Sequence, residues 1–234
     1  MRTVLLAFPL LAAALFAACG GASRENASRA TATPGAQTPA PATPAETLPK
    51  IVAFGDSLTA GYGLSPRESY PALLQKMLDA DGFKYEVVNA GVSGDTSAGG
   101  VRRIDWSLDA GGVRFVILEL GANDFLRGQP VSETKKNLAA IIERSKSRGA
   151  RVLLAGMYTT TDAGRDYGRE IDEIFKSLAR EHGVTLIPFF LEGVAGKAEL
   201  NQQDGIHPNA EGTRLVAATV YRYLKPMLEE GQNK

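Results

Sequence analysis

Two hydrophobic rhythms divide the chain beyond Lys50. Short runs that are apolar at nearly every position, 51–54, 85–88, 115–118, 152–155 and 184–187, alternate with longer stretches whose apolar side chains recur every three or four residues. A run such as Ile51-Val52-Ala53-Phe54 has no polar face, so it predicts a strand covered on both sides. Ile171, Ile174, Phe175 and Leu178 fall at i, i+3, i+4 and i+7, one stripe of an amphipathic helix. Leu138, Ile141 and Ile142 mark another helix, starting near Ser132. On a last helix from around Asn209 the pattern predicts a buried stripe of Leu215, Val216, Val220, Tyr223, Leu224 and Met227.

Repeated strand–helix alternation predicts an α/β fold: a five-stranded parallel sheet with right-handed crossovers and helices on both faces. In such sheets ligands gather beyond the carboxyl ends of the strands. The residues able to carry chemistry fall there. Asp56 and Ser57 follow the first strand, Ser93 and Gly94 the second, and Asn123 and Asp124 the third; Asp204 and His207 follow the fifth by a long loop. Four separate segments are thus expected to converge on one rim.

The amino-terminal part has neither rhythm. Arg2 precedes an uncharged run over positions 4–18. That run is short of the roughly 20 apolar residues a bilayer span needs, so residues 1–18 are expected to be a secretory signal. Its end, Leu15-Phe16-Ala17-Ala18-Cys19-Gly20, resembles a bacterial lipoprotein signal, in which the cysteine is lipidated and becomes the first mature residue. Cys19 is the only cysteine, which excludes an intramolecular disulfide. Residues 19–48, rich in Ala, Thr, Pro and Ser, cannot bury enough apolar surface to order themselves and are expected to be a disordered tether. Residues 49–230 then form one catalytic domain, expected to be exported to the cell envelope, membrane-anchored through Cys19 and monomeric.

Charge narrows the partners. Lys plus Arg number 26 and Asp plus Glu number 26, so no bulk field attracts nucleic acid. Basic residues are scattered without interleaved aromatics, and no glycine-rich phosphate loop follows the first strand. A small-molecule substrate is the expected partner, with no cofactor.

The candidate chemistry is nucleophilic acyl transfer, which needs a hydroxyl, a base and a group to orient the base. There are only two histidines. His182 reads as the end of an amphipathic helix before a strand, which leaves His207 as the base. In Asp204-Gly205-Ile206-His207-Pro208 a turn can fold the carboxylate onto one imidazole nitrogen and leave the other for Ser57. Ser57, in Gly55-Asp56-Ser57-Leu58, sits where the chain turns from strand to helix and backbone amides point outward; the same pattern also serves as a plain helix cap. Gly91 and Gly94 let the backbone approach a ligand, and Asp95 or Thr96 is expected to cap the next helix. The Asn123 amide can stabilise developing negative charge or merely close an Asx-turn. Asp-x-x-His also occurs in metal sites, but no Cys, further His or acidic cluster completes one.

These segments, in this order, resemble the four blocks of the SGNH (GDSL) hydrolase superfamily. Within it, Gly55-Asp56-Ser57-Leu58-Thr59-Ala60-Gly61-Tyr62-Gly63, Ser93-Gly94-Asp95-Thr96-Ser97 and Asp204-Gly205-Ile206-His207-Pro208-Asn209 resemble the bacterial thioesterase I, lysophospholipase L1 and arylesterase group. The resemblance implies a flavodoxin-like three-layer α/β/α sandwich and no metal. It further implies a Ser57–His207–Asp204 triad and an oxyanion hole of the Ser57 and Gly94 amides and the Asn123 side chain. The implied activity is hydrolysis of acyl esters and thioesters through an acyl-enzyme. An acetyl-carbohydrate esterase of the same superfamily and a non-catalytic acyl-binding lipoprotein are the alternatives. The loop over 157–164 lacks the proline- and asparagine-bearing pattern of that group, which leaves acyl-chain preference open.

Overall fold

The computed structural model describes residues 47–109, 111–158 and 165–232. The expected signal, Cys19 and all but the end of the expected tether lie outside them. Five strands, β1 (Lys50–Gly55), β2 (Glu86–Gly91), β3 (Val113–Glu119), β4 (Arg151–Ala155) and β5 (Thr185–Ile187), make one parallel sheet in the order β2-β1-β3-β4-β5. Between them run α1 (Ser57–Ala60), α2 (Tyr70–Ala80), α3 (Ser97–Leu108), α4 (Ala122–Leu126), α5 (Val131–Ser147) and α6 (Arg165–His182), and α7 (Ala210–Gln232) closes the chain. Helix α2 packs on α7, while α3, α5 and α6 pack in succession. This is the three-layer, flavodoxin-like order, with its switch point between β1 and β3.

The apolar runs behave as their composition requires. From Ile51 to Phe54, and from Val116 to Leu118, every side chain is fully buried, because helices cover both faces of the central strands. Strand β2 is an edge and only half-covered, so its run is not enclosed as the central ones are. The α6 stripe is buried at Ile171, Ile174, Phe175 and Leu178, as are Leu138, Ile141 and Ile142 on α5.

Two parts of the hydrophobic reading need correction. Leu215 is exposed and Tyr223 only half-buried; the buried face of α7 carries Val216, Val220, Leu224, Met227 and Leu228 together with Thr213, Ala217 and Thr219, a face turned from the predicted one. Helix α2 is absent from the pattern reading, yet Tyr70, Leu74 and Leu78, one turn apart, are all fully buried.

Candidate active site

Strand β1 delivers Asp56 and Ser57 to the carboxyl edge of the sheet. Asp56 is the N-cap of α1: its Oδ1 accepts from the Leu58 amide at 3.0 Å. A side chain on Gly55 would meet Thr59 Oγ1 at 2.0 Å and Glu119 Oε2 at 2.4 Å, so only glycine lets the turn close over the end of β3.

The two distant segments meet. Ser57 Oγ lies 2.9 Å from His207 Nε2, and His207 Nδ1 lies 2.7 Å from Asp204 Oδ2. The consistent tautomer has Ser57 donating to Nε2 and Nδ1–H donating to Asp204. Asp204 Oδ1 accepts the backbone amides of His207 at 3.0 Å and Ile206 at 3.1 Å. The His207 amide, more than the imidazole, holds the Asp204 carboxyl down to about 2, so it stays ionised. His182 ends α6 at the amino edge of β5, the opposite end of the sheet, and takes no part.

Gly94 lies in the turn after β2, closed by Asp95 N–H donating to Val92 O at 3.0 Å. Thr96, not Asp95, caps α3, accepting from the Gly99 amide at 3.3 Å. Asp95 instead pairs with Arg103 at 2.7 Å, and the same guanidinium donates to Ala90 O and Gly55 O, clamping the ends of β1 and β2 together. Asn123 closes no local turn: its Nδ2 donates to Asp56 Oδ2 at 2.9 Å, leaving a second N–H. Next to it, buried Asp124 accepts from the Ser97 amide at 2.8 Å, binding α4 to the start of α3. Arg127 donates to Gly94 O at 2.8 Å and links the two loops again.

Beneath Ser57 lies a buried acid that spacing alone does not single out. Glu119 is fully buried; its Oε2 accepts from Thr59 Oγ1 at 2.7 Å and the Asp56 amide at 3.2 Å. Burial, and then the neighbouring Asp56 charge, push the Glu119 carboxyl well above the usual range. Burial likewise raises Asp56 to about 6, against the pull of the Leu58 amide and Asn123. Glu119, the more enclosed, carries the proton.

Ser57, Ser93, Gly94, Asn123 and His207 all line one cavity of about 350 Å³. Its remaining wall is largely apolar, with Leu126, Met157, Tyr158, Phe189, Leu191 and Ile206. Tyr62, Leu126, Tyr158 and Ile206, all exposed, form its mouth. Residues 159–164, the far part of the loop after β4, lie outside the described residues.

The sequence and the fold both have close counterparts. The model of the GDSL-like Lipase/Acylhydrolase family matches residues 53–215. Esterase TesA of Pseudomonas aeruginosa is 39% identical over 178 residues, covering 76% of this chain and 89% of that one. The thioesterase 1/protease 1/lysophospholipase L1 of Escherichia coli K12 is 38% identical over 76% of this chain and 84% of its own. Among solved structures, the psychrotrophic esterase EstA from Pseudoalteromonas, inhibited by monoethylphosphonate, superposes with a TM-score of 0.73 at 35% identity, over 77% of this chain and 98% of that one.

Proposed function

The chain belongs to the GDSL-like lipase/acylhydrolase family and is a carboxylic ester hydrolase, and from that premise we propose that Ser57, His207 and Asp204 cleave acyl esters and thioesters through an acyl-enzyme. Ser57 Oγ attacks the acyl carbonyl as its proton passes to His207 Nε2. Asp204, ionised, faces the imidazolium across Nδ1–H. The alkoxide oxygen of the tetrahedral intermediate is met by the Ser57 and Gly94 amides and the free N–H of Asn123. Collapse expels the alcohol or thiol, which leaves with the proton from Nε2; water then repeats both steps on the acyl-enzyme.

The observation that carries this reading is the unbroken chain from Ser57 to His207 to Asp204, at 2.9 and 2.7 Å, opening into the apolar cavity. An apolar wall suits the hydrocarbon of an acyl chain better than an acetylated sugar, whose hydroxyls need polar partners. The test is a series of p-nitrophenyl acyl esters of graded length, with lysophospholipid and acyl thioester, against the parent and Ser57→Ala. Retained turnover in Ser57→Ala sinks the nucleophile assignment; a preference for acetyl-sugar over every acyl chain sinks the substrate class.

Export and a lipid anchor at Cys19 complete the proposal, supported by the signal-like composition of residues 1–18. Cys19→Ser should release the protein from membranes; persistent association refutes the anchor.

A further inference from the structure

We infer that Tyr62 is a positioning residue for His207, its ring both seating the imidazole at Ser57 and stabilising the positive charge the imidazole acquires in each proton transfer. The inference rests on the reading of His207 as the general base. The Tyr62 and His207 ring centroids are 4.7 Å apart with the planes tilted by 39°. An aromatic face within about 6 Å of a cation attracts it through the ring quadrupole.

The backbone is shaped to present this ring. Tyr62 N–H donates to Ser57 O at 3.0 Å, tying the tyrosine to the nucleophile's own turn. Tyr62 O accepts from Gln202 Nε2 at 2.7 Å; the same amide donates to Pro208 O at 3.0 Å, and Gln202 N–H donates to His207 O at 2.7 Å. Gln202 therefore fastens the loop carrying Tyr62 to the loop carrying His207. Gly63, at φ 75°, leaves room for it: a Cβ there would lie 2.2 Å from Gln202 Oε1. The ring itself is more than half exposed, which the core does not require of a tyrosine.

Among the described residues, the charged and titratable groups facing His207 are Asp204 on its own loop, and Asp56 and Ser57 on the nucleophile turn. Burial raises Asp56 to about 6, so a change of activity with pH also reports this carboxyl and does not isolate the imidazole. Its C–H resonance does, because His182 is the only other histidine. We expect proton NMR titration to place the His207 midpoint about 0.4–0.7 pH unit lower in Tyr62→Leu than in the parent. Tyr62→Phe should keep the parent midpoint. His182, remote from the site, should titrate alike in all three, which reports an intact fold. The same energy lowers kcat about two- to fivefold in Tyr62→Leu. A His207 midpoint unmoved in Tyr62→Leu overturns the inference, as does a shift in Tyr62→Phe equal to that in the leucine variant. Turnover surviving in His207→Ala removes the base assignment instead, and the titrations are read independently of turnover.

Discussion

Asn123 donates to Asp56 across the tip of the sheet, Nδ2 to Oδ2 at 2.9 Å, so the carboxylate that caps α1 also aims the amide of α4. The second residue of the Gly-Asp-Ser-Leu turn thereby sets two functions at once. Its other oxygen holds the Leu58 amide at 3.0 Å and with it the start of the helix that carries Ser57.

Asp56→Asn opposes one amide N–H to another or rotates to lose the cap. Losing a hydrogen bond to a charged group should lower kcat by about 10–10²-fold. KM should change little, since the buried Asp56 side chain is engaged with Leu58 and Asn123. Steady-state kinetics on a short acyl ester check this; a loss confined to KM contradicts it.

If the Asn123 amide meets the alkoxide as proposed, Asn123→Ala should lower kcat by about 10²–10³-fold. Asn123→Asp should be no better, because its charge repels both the alkoxide and Asp56. A drop of less than threefold in Asn123→Ala would show that the backbone amides suffice.

Glu119 makes stability depend on pH with an unusual sign. Its carboxyl is raised in the fold, so the native state holds a proton that the unfolded chain has released above its ordinary value of 4.5. Stability from this group is therefore full below that value and declines as pH rises beyond it. Glu119→Gln, a neutral isostere that keeps one acceptor oxygen, should have a higher Tm than the parent at pH 8 and no such advantage at pH 4. Thermal melts at both pH values decide it; equal differences at the two exclude a protonated Glu119.

Gln202→Ala cuts the tie between the Tyr62 loop and the His207 loop. Two lost hydrogen bonds should destabilise the protein by about 1–3 kcal/mol and reduce kcat, because Ser57 and His207 belong to the two loops so joined. Denaturant unfolding and kcat are the measurements; a stability loss with unchanged kcat would mean that the 2.9 Å contact is held by other means.

Composition and rhythm were enough to place β1, β3 and β4, because fully buried strands can hold only apolar side chains, and that constraint is written residue by residue. They also placed Ser57, Gly94, Asn123, Asp204 and His207 on one edge, since a parallel sheet sends every strand's carboxyl end the same way. Local rules failed where a residue's partner is remote. Leu215 looks like part of a helical stripe and faces solvent. Gln202 has ordinary sequence surroundings, and nothing local to Glu119 or Tyr62 says what either touches. Their meaning comes from partners 60 and 140 residues away for Glu119–Thr59 and Gln202–Tyr62. Side-chain periodicity reports which face is dry, a property of neighbours along the chain. Which carboxyl keeps its proton, and which ring lies on the imidazole, depend on distances and dielectric that exist only once the sheet has closed.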